Sequence, residues 1–289
     1  MNHVGMGKKA SVTFFEGEKW LVRTGLLGFL LAAICGVWVL MHGGPVSPDG
    51  DVMKAVSFNA ALGIFLLSTA AIMPFTTLGK ISRAIFRWSY ILLALYSYGV
   101  ETVQNFRGIN PRFVKGGTPF DELVGDVFTF VALFLVLFYL FAAVQFFRSK
   151  AYQLRPELVL GIRYAMIAIM LSFAAGIWIS VNNGRFVGQH GNIIWFHGLG
   201  FHALQFVPFI AWLSERSSFR VVARKRMIHL TGIAYLIGLI GVGYLTFLGS
   251  PILEWSVLSF LSIVCFLIAL LPSILLLLRP KSSAQFFQQ

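Results

Sequence analysis

Residues Leu123–Phe147 read LVGDVFTFVALFLVLFYLFAAVQFF. Asp126 stands near the start and Gln145 near the end, and between them only Thr129 and Tyr139 carry a polar atom. A helix buried in a soluble domain keeps one polar stripe, whereas this one is apolar all round and long enough to cross a bilayer, which takes about 20 residues. Its solvent is lipid.

Seven more blocks of this kind flank it, at Trp20–Met41, Val52–Phe75, Ile81–Glu101, Leu158–Val181, Ile193–Leu213, Met227–Leu248 and Trp255–Leu278. Each is continuously apolar, where a barrel strand would be shorter and alternating. The 289 residues are 57 % hydrophobic and 12 % charged, with mean hydropathy +0.80, a surface that water cannot solvate. The expected fold is all-α, a polytopic membrane protein with a bundle of about eight transmembrane helices in a single domain, 1–289. A short segment, 1–19, precedes the bundle and a tail, 279–289, follows it. The first block is too long for a cleaved signal peptide. No soluble domain, sequence repeat or low-complexity tract is evident.

Lysine and arginine collect on alternate loops. One side holds Lys8, Lys9, Lys19, Arg23, Lys80, Arg83, Arg87, Arg148, Lys150, Arg155, Arg216, Arg220, Arg224, Lys225, Arg226, Arg279 and Lys281; the other holds Lys54, Arg107, Arg112, Lys115 and Arg185. The positive-inside rule then places both termini in the cytoplasm of a plasma-membrane protein. The net charge of +12 is accounted for by these loops, so the expected partner is membrane lipid and not nucleic acid. Cys35 and Cys265 are the only cysteines and read as buried thiols, with a disulfide between them the alternative.

An ionisable group inside hydrocarbon costs a few kcal/mol, so such groups point to function. Most lie towards the extracytoplasmic side. The sixth block is the richest, with His190, His197, Gly198, His202 and Gln205. At about 100° per residue, with His197 at zero, His190 falls near 20°, Gln205 near 80°, Gly198 near 100° and His202 near 140°, one polar arc that would face a cavity. His197 and His202 are five residues apart and lack the i, i+4 spacing that chelates one ion, while Gly198 and Gly200 would leave room for a flat group such as haem with a histidine as axial ligand. The third block offers Glu101, with Gln104 and Asn105, as a metal ligand, second shell or proton relay; pairing with Arg107 or Arg112 is the structural alternative. His42 is a further metal-ligand candidate, and Asp126 and His190 are candidates for the second shell. His229, with Arg224–Arg226, is expected to meet lipid headgroups.

A histidine- and glycine-rich helix within eight spans resembles haem-handling membrane proteins such as haem A synthase. That resemblance implies haem chemistry. The family distributes its haem ligands over several helices in two similar halves, but the second, fourth and eighth blocks here contain no histidine, so no ligand position is carried over. Common hydrolase, zinc-protease, P-loop and desaturase motifs are absent. The function expected is an outward-facing His/Glu site that binds haem or a transition-metal ion, with possible redox use and a ligand arriving from the extracytoplasmic side. The alternatives are a proton-coupled small-solute transporter, or a sensor or assembly subunit that docks on another membrane subunit.

Overall fold

A computed structural model describes residues 12–278. Lys8, Lys9, Arg279 and Lys281, with the rest of 1–11 and the tail 279–289, lie outside the described residues.

The elements run α1 Lys19–His42, β1 Pro45–Val46, β2 Gly50–Asp51, α2 Val52–Ile72, α3 Lys80–Phe106, α4 Pro119–Phe147, α5 Ser149–Leu154, α6 Pro156–Val181, β3 Phe186–Val187, β4 Gly191–Asn192, α7 Ile193–Glu215, α8 Val221–Phe247 and α9 Val257–Leu278. Seven of these helices, all the long ones except α3, are long and apolar enough to cross a membrane. α3 has 27 residues, but charge at both ends lowers its hydropathy. Its basic start meets the start of α1, where Arg83 and Arg87 bind Glu18 at 2.5 and 2.6 Å. Its far end meets β2, where Asn105 Oδ1 accepts the Asp51 amide. α3 therefore runs the full length of the bundle, from the arginine-rich end, called here the basic end, to the hairpin end.

The chain is built twice on one plan, which the sequence did not show. α1, a hairpin, α2, α3 and α4 form one unit; α6, a hairpin, α7, α8 and α9 form the second, and α5 links them. Counting on 141 residues maps the first hairpin onto the second. Pro45 pairs with Asp51 and Val46 with Gly50; Phe186 pairs with Asn192 and Val187 with Gly191. The Val52 amide donates to Gly44 O, and the Ile193 amide to Arg185 O, both at 2.8 Å. Asp51 caps α2 through the Met53 amide and Asn192 caps α7 through the Ile194 amide, each carbonyl oxygen satisfying a donor that the first helical turn leaves free. Asp49 N donates to Gly108 O and His190 N to Gly249 O. Both units enter the bundle in the same direction, so the repeat is of the parallel kind.

The sequence keeps only fragments of this plan. Gly36-Val37-Trp38-Val39 answers Gly176-Ile177-Trp178-Ile179, and Gly50-Asp51-Val52 answers Gly191-Asn192-Ile193. What is shared is mostly backbone geometry, which many sequences satisfy.

Gly108 and Gly249 end α3 and α8 with φ of 78° and 69°, a region that costs other residues about 1–2 kcal/mol. A Cβ on Gly108 would also stand 1.9 Å from Ser47 O, whereas on Gly249 it would be 3.2 Å from Val187 O. Gly108→Ala is therefore expected to lower the melting temperature in detergent clearly more than Gly249→Ala; equal losses would mean that the first hairpin gives way freely.

Within each unit the first two helices pack closest. A Cβ on Gly25 would lie 3.0 Å from Gly63 O, and one on Gly200 2.9 Å from Ala168 O, contacts open only to small residues. The glycines of α8 pack as expected, Gly232 against Tyr164 and Gly243 against Phe196. His229 is hydrogen-bonded to Tyr164 Oη at 2.7 Å. Cys35 and Cys265 are both free thiols.

Between the units α2 meets α7, and the seam is filled with rings. Phe65 on α2 touches Phe201 on α7 at 4.9 Å between centroids and Tyr139 on α4 at 4.8 Å. Phe173 on α6 closes the ring set, 5.7 Å from Tyr139 and 5.4 Å from Phe201. On the hairpin side of this floor Ser57, Ala61 and Trp195 are exposed. The seam is thus closed in its middle.

Candidate functional site

Asn192 is the N-cap of α7, so helix begins only at Ile193. His190 consequently stands in the hairpin turn, exposed, and does not belong to the helical arc assigned to it from sequence. The rest of the arc also divides.

His197 lies one turn above Phe201 and meets its ring edge to face at 4.9 Å. Its Nδ1 is 2.7 Å from Ser172 O on α6. A carbonyl oxygen only accepts, so Nδ1 carries the hydrogen and Nε2 keeps a bare lone pair. The ring fits there because residue 176 is glycine: a Cβ would stand 3.0 Å from Cε1. Ser172 adds a second tie by donating its hydroxyl to His197 O at 2.5 Å. Nε2 has no hydrogen-bond partner among the described residues.

His202 sits on another face. The Ser68 hydroxyl donates to Ile64 O, so it receives Gln205 Nε2 at 2.8 Å, and Gln205 Oε1 is left to accept Nδ1–H of His202 at 3.2 Å. This chain fixes the second imidazole in the same tautomer. His202 is exposed on the side of α7 turned away from α6, about 140° from His197. The two imidazoles do not converge on one ion. Of the two glycines, Gly198 is open, with no atom within 4 Å of a Cβ position, while Gly200 is filled by Ser172 and Ala168.

The carboxylate expected to complement them is already paired. Glu101 is buried, with Arg112 Nε 2.6 Å from Oε1 and Asn105 Nδ2 3.3 Å from Oε2. Gln104 donates to Asp121, and Arg107 Nη1 bridges Gln104 and Asp121. Asp121 also closes the capping box of α4 with Thr118. These groups fasten the loop 107–118 to α3. Asp126, a second-shell candidate from the sequence, is exposed, whereas Asp121 at the third residue of α4 is buried and reaches back to the loop. His42 is exposed and stacked on Trp38 at 3.9 Å. Among the described residues no three of His, Cys, Asp and Glu are grouped to hold a metal ion. Glu101, His42, His197 and His202 are thus four separate positions.

Sequence reading missed Arg112 and Phe58 as site residues. Arg112 lies over the Phe58 ring, 5.3 Å from its centroid. Nothing in the sequence separates Arg112 from Arg107; only the fold turns one towards the seam.

The seven apolar helices define a class, a multi-pass helical membrane protein built from a repeated unit. The chain matches no family model, no curated protein and no solved structure.

Proposed function

We propose that this protein binds haem at the hairpin half of the seam, with His197 Nε2 as the axial nitrogen. The observation that carries this reading is the pairing of His197 Nδ1 with Ser172 O at 2.7 Å. A second-shell carbonyl on the far nitrogen orients a ligating imidazole and raises its basicity. Phe201 beside the ring, Phe58 across the seam and the open Gly198 supply apolar contact for a flat macrocycle. Glu101 serves by holding Arg112. A transition-metal ion bound by protein alone is the poorer reading, since no three ligands are grouped among the described residues. A carrier is poorer too, because Phe65, Tyr139, Phe173 and Phe201 leave no polar route to the basic end.

In this reading α3 is the eighth span, both termini are cytoplasmic, the membrane is the plasma membrane, and the ligand arrives from the extracytoplasmic side. A reporter fused after Gln289 that is active only outside the cell would reverse the orientation. Titration of the purified protein with haem is expected to give a Soret shift saturating at one haem per chain; no saturable shift overturns the reading.

His202 favours a second reading alongside the first. An imidazole on a lipid-exposed helix face is costly unless something meets it, and His202 is exposed. Docking of another membrane subunit at this face predicts a co-purifying partner that His202→Leu releases.

A further inference from the structure

We propose that Arg112 is the anion-binding residue of the site and takes a carboxylate of the bound haem, an assignment that rests on the haem reading. The first support is that Arg112 is held but not used up. Nε is on Glu101, a carboxylate with its other oxygen on Asn105, and both Nη nitrogens lack a partner among the described residues. Arg107, in the same loop, spends Nη1 on Gln104 and Asp121. A guanidinium fixed at one edge presents the Nη pair as a fork matched to a carboxylate.

Position is the second support. Phe58 is seven residues, or two turns, towards the hairpin end from Phe65 on the same face of α2. His197 is four residues, about one turn, above Phe201 on α7. Because Phe65 and Phe201 touch, Arg112 over Phe58 and the imidazole of His197 both stand on the hairpin side of one floor. In this proposal a macrocycle held at His197 meets Arg112 with its acidic edge towards the hairpin end.

The repeat supplies the third. Counting on 141 residues from Glu101 and Arg112 reaches Val242 and Leu253, yet the second unit closes its hairpin onto Gly249 as the first does onto Gly108. The turn therefore forms without a carboxylate–guanidinium pair. Counting back from His197 reaches Val56, so each unit brings one part of the site that the other lacks.

The test compares haem with haem dimethyl ester, which keeps the iron and the macrocycle but has no free carboxylate. Full-length protein in phosphatidylcholine nanodiscs is titrated with each. Wild type is expected to bind haem about tenfold or more tighter than the ester. Arg112→Gln is expected to lose that preference by weakening haem alone, and Arg112→Lys to keep part of it. Wild type that binds both equally well overturns the proposal without recourse to variants that fail to fold. Arg112→Gln with the preference intact overturns it too, and in both cases His197-dependent haem binding leaves the haem reading standing. No His197-dependent binding of either compound overturns both.

Discussion

Replacing His197 by alanine is expected to abolish the Soret shift on haem titration, while His202→Ala leaves it in place. Both imidazoles offer Nε2, but only His197 combines a main-chain acceptor on Nδ1 with an aromatic ring, Phe201, packed against it. Loss of an outer-shell partner to a metal site costs roughly 10–100-fold in affinity, and loss of the axial nitrogen itself should exceed that. The cavity left beside Gly176 and Phe201 is small, so the variant should fold, which its melting temperature checks. Retained Soret binding in His197→Ala with loss in His202→Ala would move the site to the outer face of α7. A graded variant, Gln205→Leu, frees the second imidazole to rotate and is expected to change haem binding less than threefold, about the 0.6 kcal/mol scale of RT.

The largest effect on stability is expected far from the site. Glu18 is buried at the head of α1, with Arg83 Nε at 2.5 Å and Arg87 Nε at 2.6 Å, and Arg83 also donates to Glu16 O. Removing one partner of a buried ion pair leaves uncompensated charge and costs about 3–5 kcal/mol. The two guanidiniums keep about a fifth of their surface exposed, so part of that loss is recovered when they turn to water or phosphate. Glu18→Ala is expected near the lower bound, about 3 kcal/mol, seen as a lower melting temperature and as faster proteolysis at the start of α1. A loss under about 1 kcal/mol would place this cluster with ordinary surface ion pairs.

These two outcomes draw on different levels of the molecule. Glu18 matters through a contact across 65 and 69 residues of sequence, and no local pattern pairs it with Arg83 and Arg87. His197 was visible in the sequence because an imidazole within an apolar block is unusual. Its partner was not visible, because the acceptor is the main-chain oxygen of Ser172, which every residue has. The polar arc of the sixth block failed for a similar reason. Helical periodicity gives the direction of a side chain but not what stands there, and α6 stands opposite His197 while nothing covers His202.

Sequence alone determined that the chain is a bundle of apolar helices, since the length and continuity of each block leave lipid as the only solvent that suits it. It also located the imidazoles and the carboxylate, through the rarity of such groups in that setting. Tertiary structure alone decided the twofold build, the pairing of Glu101 with Arg112, and the tie of His197 to the Ser172 main chain above a floor of rings. Those features depend on backbone hydrogen bonds and on distances between residues remote in the chain, and neither is written in the order of side chains.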